Sequence, residues 1–290
     1  MENNTLANSE NEDWDLEIKP KAKLFDLNFS EIWRYRDLML LFVKRDFIAQ
    51  YKQTILGPLW HFIQPILTTI MFLMLFTRVA RLPTDGIPPV LFYMSGITIW
   101  NYFSVCLTST SRTFTANANI FGKVYFPRII MPLSIVLSNL IRFGIQFLLV
   151  VIAIVYYSFE GYTVHLSIYW LVIPFLLFLM SAICLGLGII VSALTTKYRD
   201  FSVLLTFGIQ LLMYGTPIAY PLSFIESRGL GWIIKFNPLT SIVEAFRYAL
   251  FGKGTFTAGD ILYAIGFTLV VVTLGLVFFN KVEKTFIDTV

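Results

Sequence analysis

Long apolar runs separated by short polar stretches dominate the chain, and their lengths are the first constraint on its fold. A helix needs about 20 apolar residues to cross a hydrocarbon core of about 30 Å, because lipid offers no partner for stray backbone N–H and C=O groups. Six stretches meet that length, at residues 59–79, 90–107, 129–157, 168–194, 201–220 and 261–279. Over 31–52 the pattern changes. At helical spacing Arg34, Asp37, Lys44, Arg45 and Lys52 gather on one side, while Ile32, Met39, Val43 and Phe47 gather opposite, which predicts an amphipathic helix lying on one leaflet. A soluble-type helix packed on a partner fits the same pattern. Gly57-Pro58 then breaks that helix and turns the chain into the membrane.

The connection between the fifth and sixth stretches, 221–260, is too apolar for a plain loop. Segments 231–236 and 239–251, separated by Asn237-Pro238, read as short amphipathic or re-entrant helices at the outer surface, where they would cap an exit. Residues 1–30 are polar and without period, the pattern of a disordered tail. The expected architecture is an all-α membrane protein with six transmembrane helices, an interfacial amphipathic N-terminal helix and short gate helices between spans five and six. Its expected divisions are a tail (1–30), the interfacial helix (31–56), the transmembrane domain (57–282) and a second tail (283–290). No repeat relates the first three spans to the last three, which argues against a transporter built from inverted repeats.

Composition narrows the function class. Of 290 residues 57% are hydrophobic and only 14% charged, against about 25% charged in an ordinary soluble domain, so a soluble enzyme is excluded. The net charge of +4 is scattered, which gives no footprint for nucleic acid. Lys and Arg fall unevenly about the spans. Fifteen lie in the amino-terminal region, the two loops on its side and the carboxyl tail, against six (Arg78, Arg81, Arg228, Lys235, Arg247 and Lys253) in the opposite loops. The positive-inside rule therefore predicts that both termini are cytoplasmic. The first 58 residues lack a short apolar run with a small-residue cleavage site, so the amino terminus is expected to be retained.

Few residues carry chemistry. Cys106 and Cys184 lie inside apolar runs without metal-ligand spacing and read as packing residues. There is no G-x-x-x-x-G-K-[ST] phosphate loop, and His61 and His165 assemble with no nucleophile and acid; no catalytic site, metal or bound cofactor is expected on this chain. Arg142 inside the third stretch is different, because an ionisable group at that depth is expensive. Asn139, Arg142 and Gln146 share one helix face, extended by Ser138 and Ser134. That face fits a hydrated path for a polar substrate, or a structural arginine paired within a buried network. Aromatic residues make up 17% of the chain, and Tyr102, Phe143 and Tyr214, with Trp100, Phe103 and Phe147, are candidates for rings that line such a path. The loop RTFTANANIFGKVYFPR (112–128) suits docking onto a soluble partner.

Four motifs together resemble the membrane subunit of type-2 ABC exporters for polysaccharides, the permeases for O-antigen, capsule and teichoic acid chains. They are YKQTILGPLW (51–60), GKVYFPR (122–128), KYRD (197–200) and NPLT through EAFR (237–247). The resemblance covers residues 30 to 285. It implies a homodimer working with two copies of a separate ATP-hydrolysing subunit, which would hold the ATP and Mg. It also implies that the N-terminal helix and the loop before span three touch that partner, here through Arg34, Asp37, Arg45, Asn119, Phe121, Gly122 and Lys123. The gate helices between spans five and six then place Asn237, Pro238, Glu244 and Arg247 at the outer gate. The implied cargo is a glycan linked to a lipid diphosphate, usually undecaprenyl pyrophosphate, and Arg34, Lys123 and Arg128 are cations available to its head at the inner mouth. The implied location is the cell inner membrane. A permease for teichoic acid, a drug or a lipid, and an ATP-independent channel or scaffold, remain alternatives at this stage.

Overall fold

The computed structural model describes residues 29–52, 54–163, 168–198 and 200–289. The expected tail before residue 29, His165 and Arg199 lie outside these. All regular structure among the described residues is helical. Helices α1 (Phe29–Arg34) and α2 (Arg36–Tyr51) precede a 3-10 turn at Gly57–Leu59, where Gly57 takes a positive φ of 49°. The first span follows as α3 (Trp60–Phe72) and continues as a π-helix over Leu73–Val79. Then come α4 (Pro89–Thr110), the one-turn helices α5 (Thr113–Ala116) and α6 (Ala118–Phe121), α7 (Ile130–Phe159), and α8 (Val172–Lys197), entered through a 3-10 turn. The chain closes with α9 (Phe201–Tyr214), α10 (Leu222–Glu226), α11 (Gly231–Lys235), α12 (Pro238–Phe251) and α13 (Ala258–Thr289).

Five helical stretches are long and apolar enough to cross a membrane: Gly57–Val79, Pro89–Thr110, Ile130–Phe159, Ile168–Thr196 and Ala258–Lys281. Each coincides with an expected span. The expected fifth span, 201–220, differs: its helix α9 has 14 residues, about 21 Å at 1.5 Å per residue, and the chain then turns at Gly215. Residues 283–289, within the expected second tail, are helical and continue α13 to Thr289.

The bundle is organised around α4, the least apolar of the five spans and the most buried. Small residues along it (Ser95, Gly96, Thr98, Cys106 and Thr110) let neighbours approach, as is usual where helices meet in lipid. Helices α3, α7, α8 and α12 pack on it, α13 packs on the far side of α8, and α2 packs across α7. Cys106 and Cys184 are fully buried here, and the Cys184 thiol faces the Phe103 carbonyl at 3.6 Å, so both are packing residues.

A second, smaller core sits at the end of the bundle that carries α2. Phe42 from α2, Phe114 and Phe121 from the one-turn helices, Phe126 and Ile129–Met131 at the entry to α7, Ile189 from α8 and Phe279 from α13 pack together. Helix α2 is less cleanly two-sided than its charges suggest. Phe42 and Val43 are buried, but Leu40, Leu41 and Ile48 are exposed on its other faces, an apolar surface that suits the headgroup boundary.

Candidate functional site

Arg142 stands 12 residues into α7, about 18 Å along the helix. Its Nη1 donates to Asn139 Oδ1 at 3.1 Å, and Asn139 Nδ2 donates to the Ile135 carbonyl at 2.8 Å. The i, i+3 spacing thus does what it predicts, putting both side chains on one face. That face opens into a polar cavity of about 90 Å³ between α3, α4 and α7, shared with His61, Gln64, Asn101, Tyr102, Phe143 and Gln146. Of the expected channel residues, Asn139, Arg142, Gln146, Tyr102 and Phe143 converge here. Tyr214 does not. It is exposed at the end of α9, where its carbonyl accepts from the Tyr220 hydroxyl.

His61, Gln64 and Asn101 were missed in the sequence, although the signal exists: each is a polar residue inside an otherwise apolar run, the same anomaly that singles out Arg142. What sequence cannot give is that spans one, two and three turn these residues toward one point.

The rings around the cavity pack on one another. Tyr102 and Phe143 meet edge to face, Phe143 stacks on Phe147, and both phenylalanines contact Phe246 of α12. Trp100 and Phe103 are buried against each other in the main core. This aromatic run ties the cavity to the segment after α9.

That segment holds the four outer-gate candidates, and it is built as a lock. Asn237 caps α12, its Oδ1 accepting from Leu239 N at 3.1 Å, with Pro238 at the first helical position. The Asn237 amide also donates to the Gly215 carbonyl and Thr216 Oγ1. Every residue of α12 except Tyr248 is buried, so the segment expected to be an amphipathic or re-entrant helix over 239–251 is packed inside the bundle on nearly every face. Arg247, fully buried, donates to the carbonyls of Pro217 and Ile218 and to Glu244, and lies 3.8 Å from the centre of the Phe92 ring. Glu244 accepts in turn from Thr255 N at 3.1 Å. Asn237, Glu244 and Arg247 therefore direct polar groups to the chain that follows α9 and to the loop after α12.

The end of the bundle that carries α10 and α11 is tied down as well. Asp85, at φ 49° in the loop after the first span, accepts from Ser223 of α10 through both oxygens, and Lys253 donates to the Gly86 carbonyl at 2.7 Å. Lys235 and Glu226 pair at 2.7 Å, and that bond holds the ammonium above the usual lysine range.

At the opposite end, the expected partner-contact residues separate into two groups. Arg34, Asp37, Asn119, Gly122 and Lys123 are exposed, as are Val124 and Tyr125 beside them. Phe121 is not: it is turned into the smaller core beside Phe114 and Phe126, with the Arg128 guanidinium over its ring at 6.0 Å. Its ring therefore packs within that core, unlike the exposed residues beside it. Arg45 also turns inward and pairs with Asp46 at 2.7 Å. Arg45, Asp46, Ser109, Arg112 and Ser138 line a second cavity of about 490 Å³ that Asn139 and Arg142 border too. Arg34, Lys123 and Arg128 line neither cavity, so these three do not meet around Arg142.

Comparison with known proteins accords with this architecture. The chain is 34% identical over 255 residues to an O-antigen export system permease protein, RfbA, of Klebsiella pneumoniae, an alignment covering 87% of this chain and 94% of that one. It is 28% identical over 220 residues to the RfbA of Myxococcus xanthus, covering 75% and 81%. It is 23% identical over 250 residues to a capsule polysaccharide export inner-membrane protein, CtrC, of Neisseria meningitidis, covering 83% and 89%. Residues 37–251, a stretch that takes in α2, both cavities and the buried α12, match the family described as the ABC-2 type transporter, and the chain belongs to that family.

Proposed function

We propose that this chain is the membrane-spanning subunit of an ATP-driven exporter that carries polysaccharide, as a lipid-linked glycan, across the inner membrane. The observation that carries this reading is the similarity, over nearly the whole length of both chains, to permeases named for O-antigen export. Relatives named for O-antigen and for capsule have polysaccharide in common, so the class of cargo is the part of the reading with most support. The working unit is a homodimer with two ATPase subunits, which bind the ATP and Mg. Both termini face the cytoplasm. Six crossings follow if α9 and the buried α12 together make the fifth, with α12 filling the depth that a 14-residue helix leaves unspanned.

The smaller core suggests how force would enter. The loop before α7 presents Gly122, Lys123, Val124 and Tyr125 outward between the inward rings of Phe121 and Phe126. Its base is bonded to α8, with Phe114 N donating to Ser192 Oγ at 3.1 Å and Thr195 Oγ1 to the Ser111 carbonyl at 3.4 Å. An ATPase gripping the tip therefore moves α2 and the nearby ends of α7, α8 and α13 as one packed body, and ATP binding biases which of two packings the spans adopt.

The test pairs Val124→Asp with Tyr125→Asp in the full complex. Both side chains are exposed, so the permease is expected to reach the membrane with unchanged thermal stability. ATPase coupling and surface glycan are expected to fall by about 10-fold or more, the effect of removing anchoring contacts from an interface. Normal glycan display in the double variant, or failure of the purified chain to bring down any ATPase, would overturn the reading.

A further inference from the structure

The two polar cavities meet at Arg142, and the charges around them do not balance. Arg45 and Asp46 neutralise each other, with Nε and Nη2 both within 2.8 Å of Asp46 Oδ1. Asp46 is the only carboxylate among the described residues lining either cavity. Arg142 and Arg112 remain, and among the described residues neither has a carboxylate within 4 Å.

Arg142 is also short of hydrogen bonds. A guanidinium carries five N–H donors. This one makes a single bond, to Asn139, and its Nε has no partner among the described residues. Ser138 Oγ, one turn away on the same face, has none either. A cation at membrane depth is retained where something compensates it, and here the cavity offers three arginines one carboxylate, Asp46, which is already bonded to Arg45. The contrast is Arg247, whose Nε is likewise unpartnered among the described residues but whose other nitrogens, more deeply buried, contact a carboxylate and two carbonyls.

We infer that Arg142 and Arg112 form a seat for a phosphate-class anion within a single protomer, with Asn139 fixing the fork of Arg142. Phosphate suits this place for three reasons. Its tetrahedral oxygens accept from a guanidinium in pairs, which a hydrated halide does not. The larger cavity, about 490 Å³, has room for a phosphoryl group together with waters. Arg112 stands exposed at the end of α4, where an incoming anion meets charge before it reaches Arg142. The anion is either a free phosphate or diphosphate or the head of a phosphomonoester lipid. The inference concerns binding by this chain alone and holds whatever cargo the exporter carries.

The test uses the full-length chain in nanodiscs of phosphatidylcholine, titrated with inorganic pyrophosphate by calorimetry. A parallel set replaces part of the lipid with phosphatidic acid and reads bound lipid by native mass spectrometry. Saturable binding of one anion per protomer is expected in at least one arm. A signal confined to the second identifies a lipid head as the source, and a signal in the first a soluble anion. Arg142→Gln is expected to weaken binding by about 10-fold or more and Arg112→Gln by several-fold, whereas Arg81→Gln, exposed in the loop after the first span and outside both cavities, leaves it unchanged. Arg142→Lys, which keeps the charge and loses the fork, is expected to fall between wild type and Arg142→Gln. No saturable binding in either arm overturns the seat, as does wild-type affinity in Arg142→Gln. If that variant does not fold, Arg112→Gln decides: weaker binding supports the seat and wild-type affinity rejects it.

Discussion

Arg247→Ala is expected to remove most of the correctly folded protein from the membrane, although the residue touches no cavity described above. The guanidinium is fully buried and bonds three groups at once: the Glu244 carboxylate and the carbonyls of Pro217 and Ile218. Its face lies on the Phe92 ring of α4. Truncation strands Glu244 as a buried charge supported by the Thr255 N–H alone, and it frees two carbonyls between α9 and α10. Breaking a buried pair by removing one partner costs about 3–5 kcal/mol, a large part of the roughly 5–15 kcal/mol that holds a typical domain together. Replacing both ends, Glu244→Gln with Arg247→Met, leaves no unpaired charge, so part of the loss is expected to return. Yield of monodisperse protein and Tm in detergent read both variants. An unchanged Tm in Arg247→Ala would show that α12 is held by packing alone.

The second large effect is expected where α8 crosses α4 and α13. A Cβ on Gly186 would lie 2.8 Å from the Val271 carbonyl oxygen, and one on Gly275 2.9 Å from Gly186 Cα. A Cβ on Gly188 would fall 2.5 Å from Thr110 Cβ. These are backbone and Cβ atoms that cannot swing aside, so any side chain must push helices apart. Gly186→Val is expected to destabilise by about 1–3 kcal/mol or more, the range for overpacking a close-packed interior. Gly144→Ala on α7, where nothing lies within 4 Å of the added carbon, is the control, expected to stay within about 0.5 kcal/mol of wild type. The same thermal melts compare them. Equal melts for the two variants would mean that the α8 crossing is loose enough to yield.

These two sites differ in how far sequence reveals them. Asn237-Pro238 is legible as a helix start because a cap and a following proline act through local backbone geometry, and α12 begins there. Gly186, Gly188 and Gly275 look like any glycines in apolar runs, and only the approach of a neighbouring backbone gives them meaning. Arg142 announces itself by being charged where charge is costly. Arg112 does not, since an arginine at the end of a span is ordinary. Phe121 has the appearance of a docking residue in a loop, and it turns inward because Phe114 and Phe126 of the same loop and Phe42 and Phe279 from distant segments share its core.

Sequence by itself determined the membrane class, the ends of five spans to within a few residues, the helix that precedes the first span and the family motifs. All of these depend on helix length, on the spacing of charge and on short-range backbone rules, which one stretch of chain specifies without its neighbours. Tertiary structure alone decided that α12 is packed inside the bundle on nearly every face, that Glu244 and Arg247 bond to each other while Arg247 also holds the chain between α9 and α10, and that three spans turn polar groups toward Arg142. The physical reason is that lipid is as apolar as a protein core. An apolar side chain facing a neighbouring helix and one facing lipid are therefore alike in sequence, and only the assembled bundle distinguishes them.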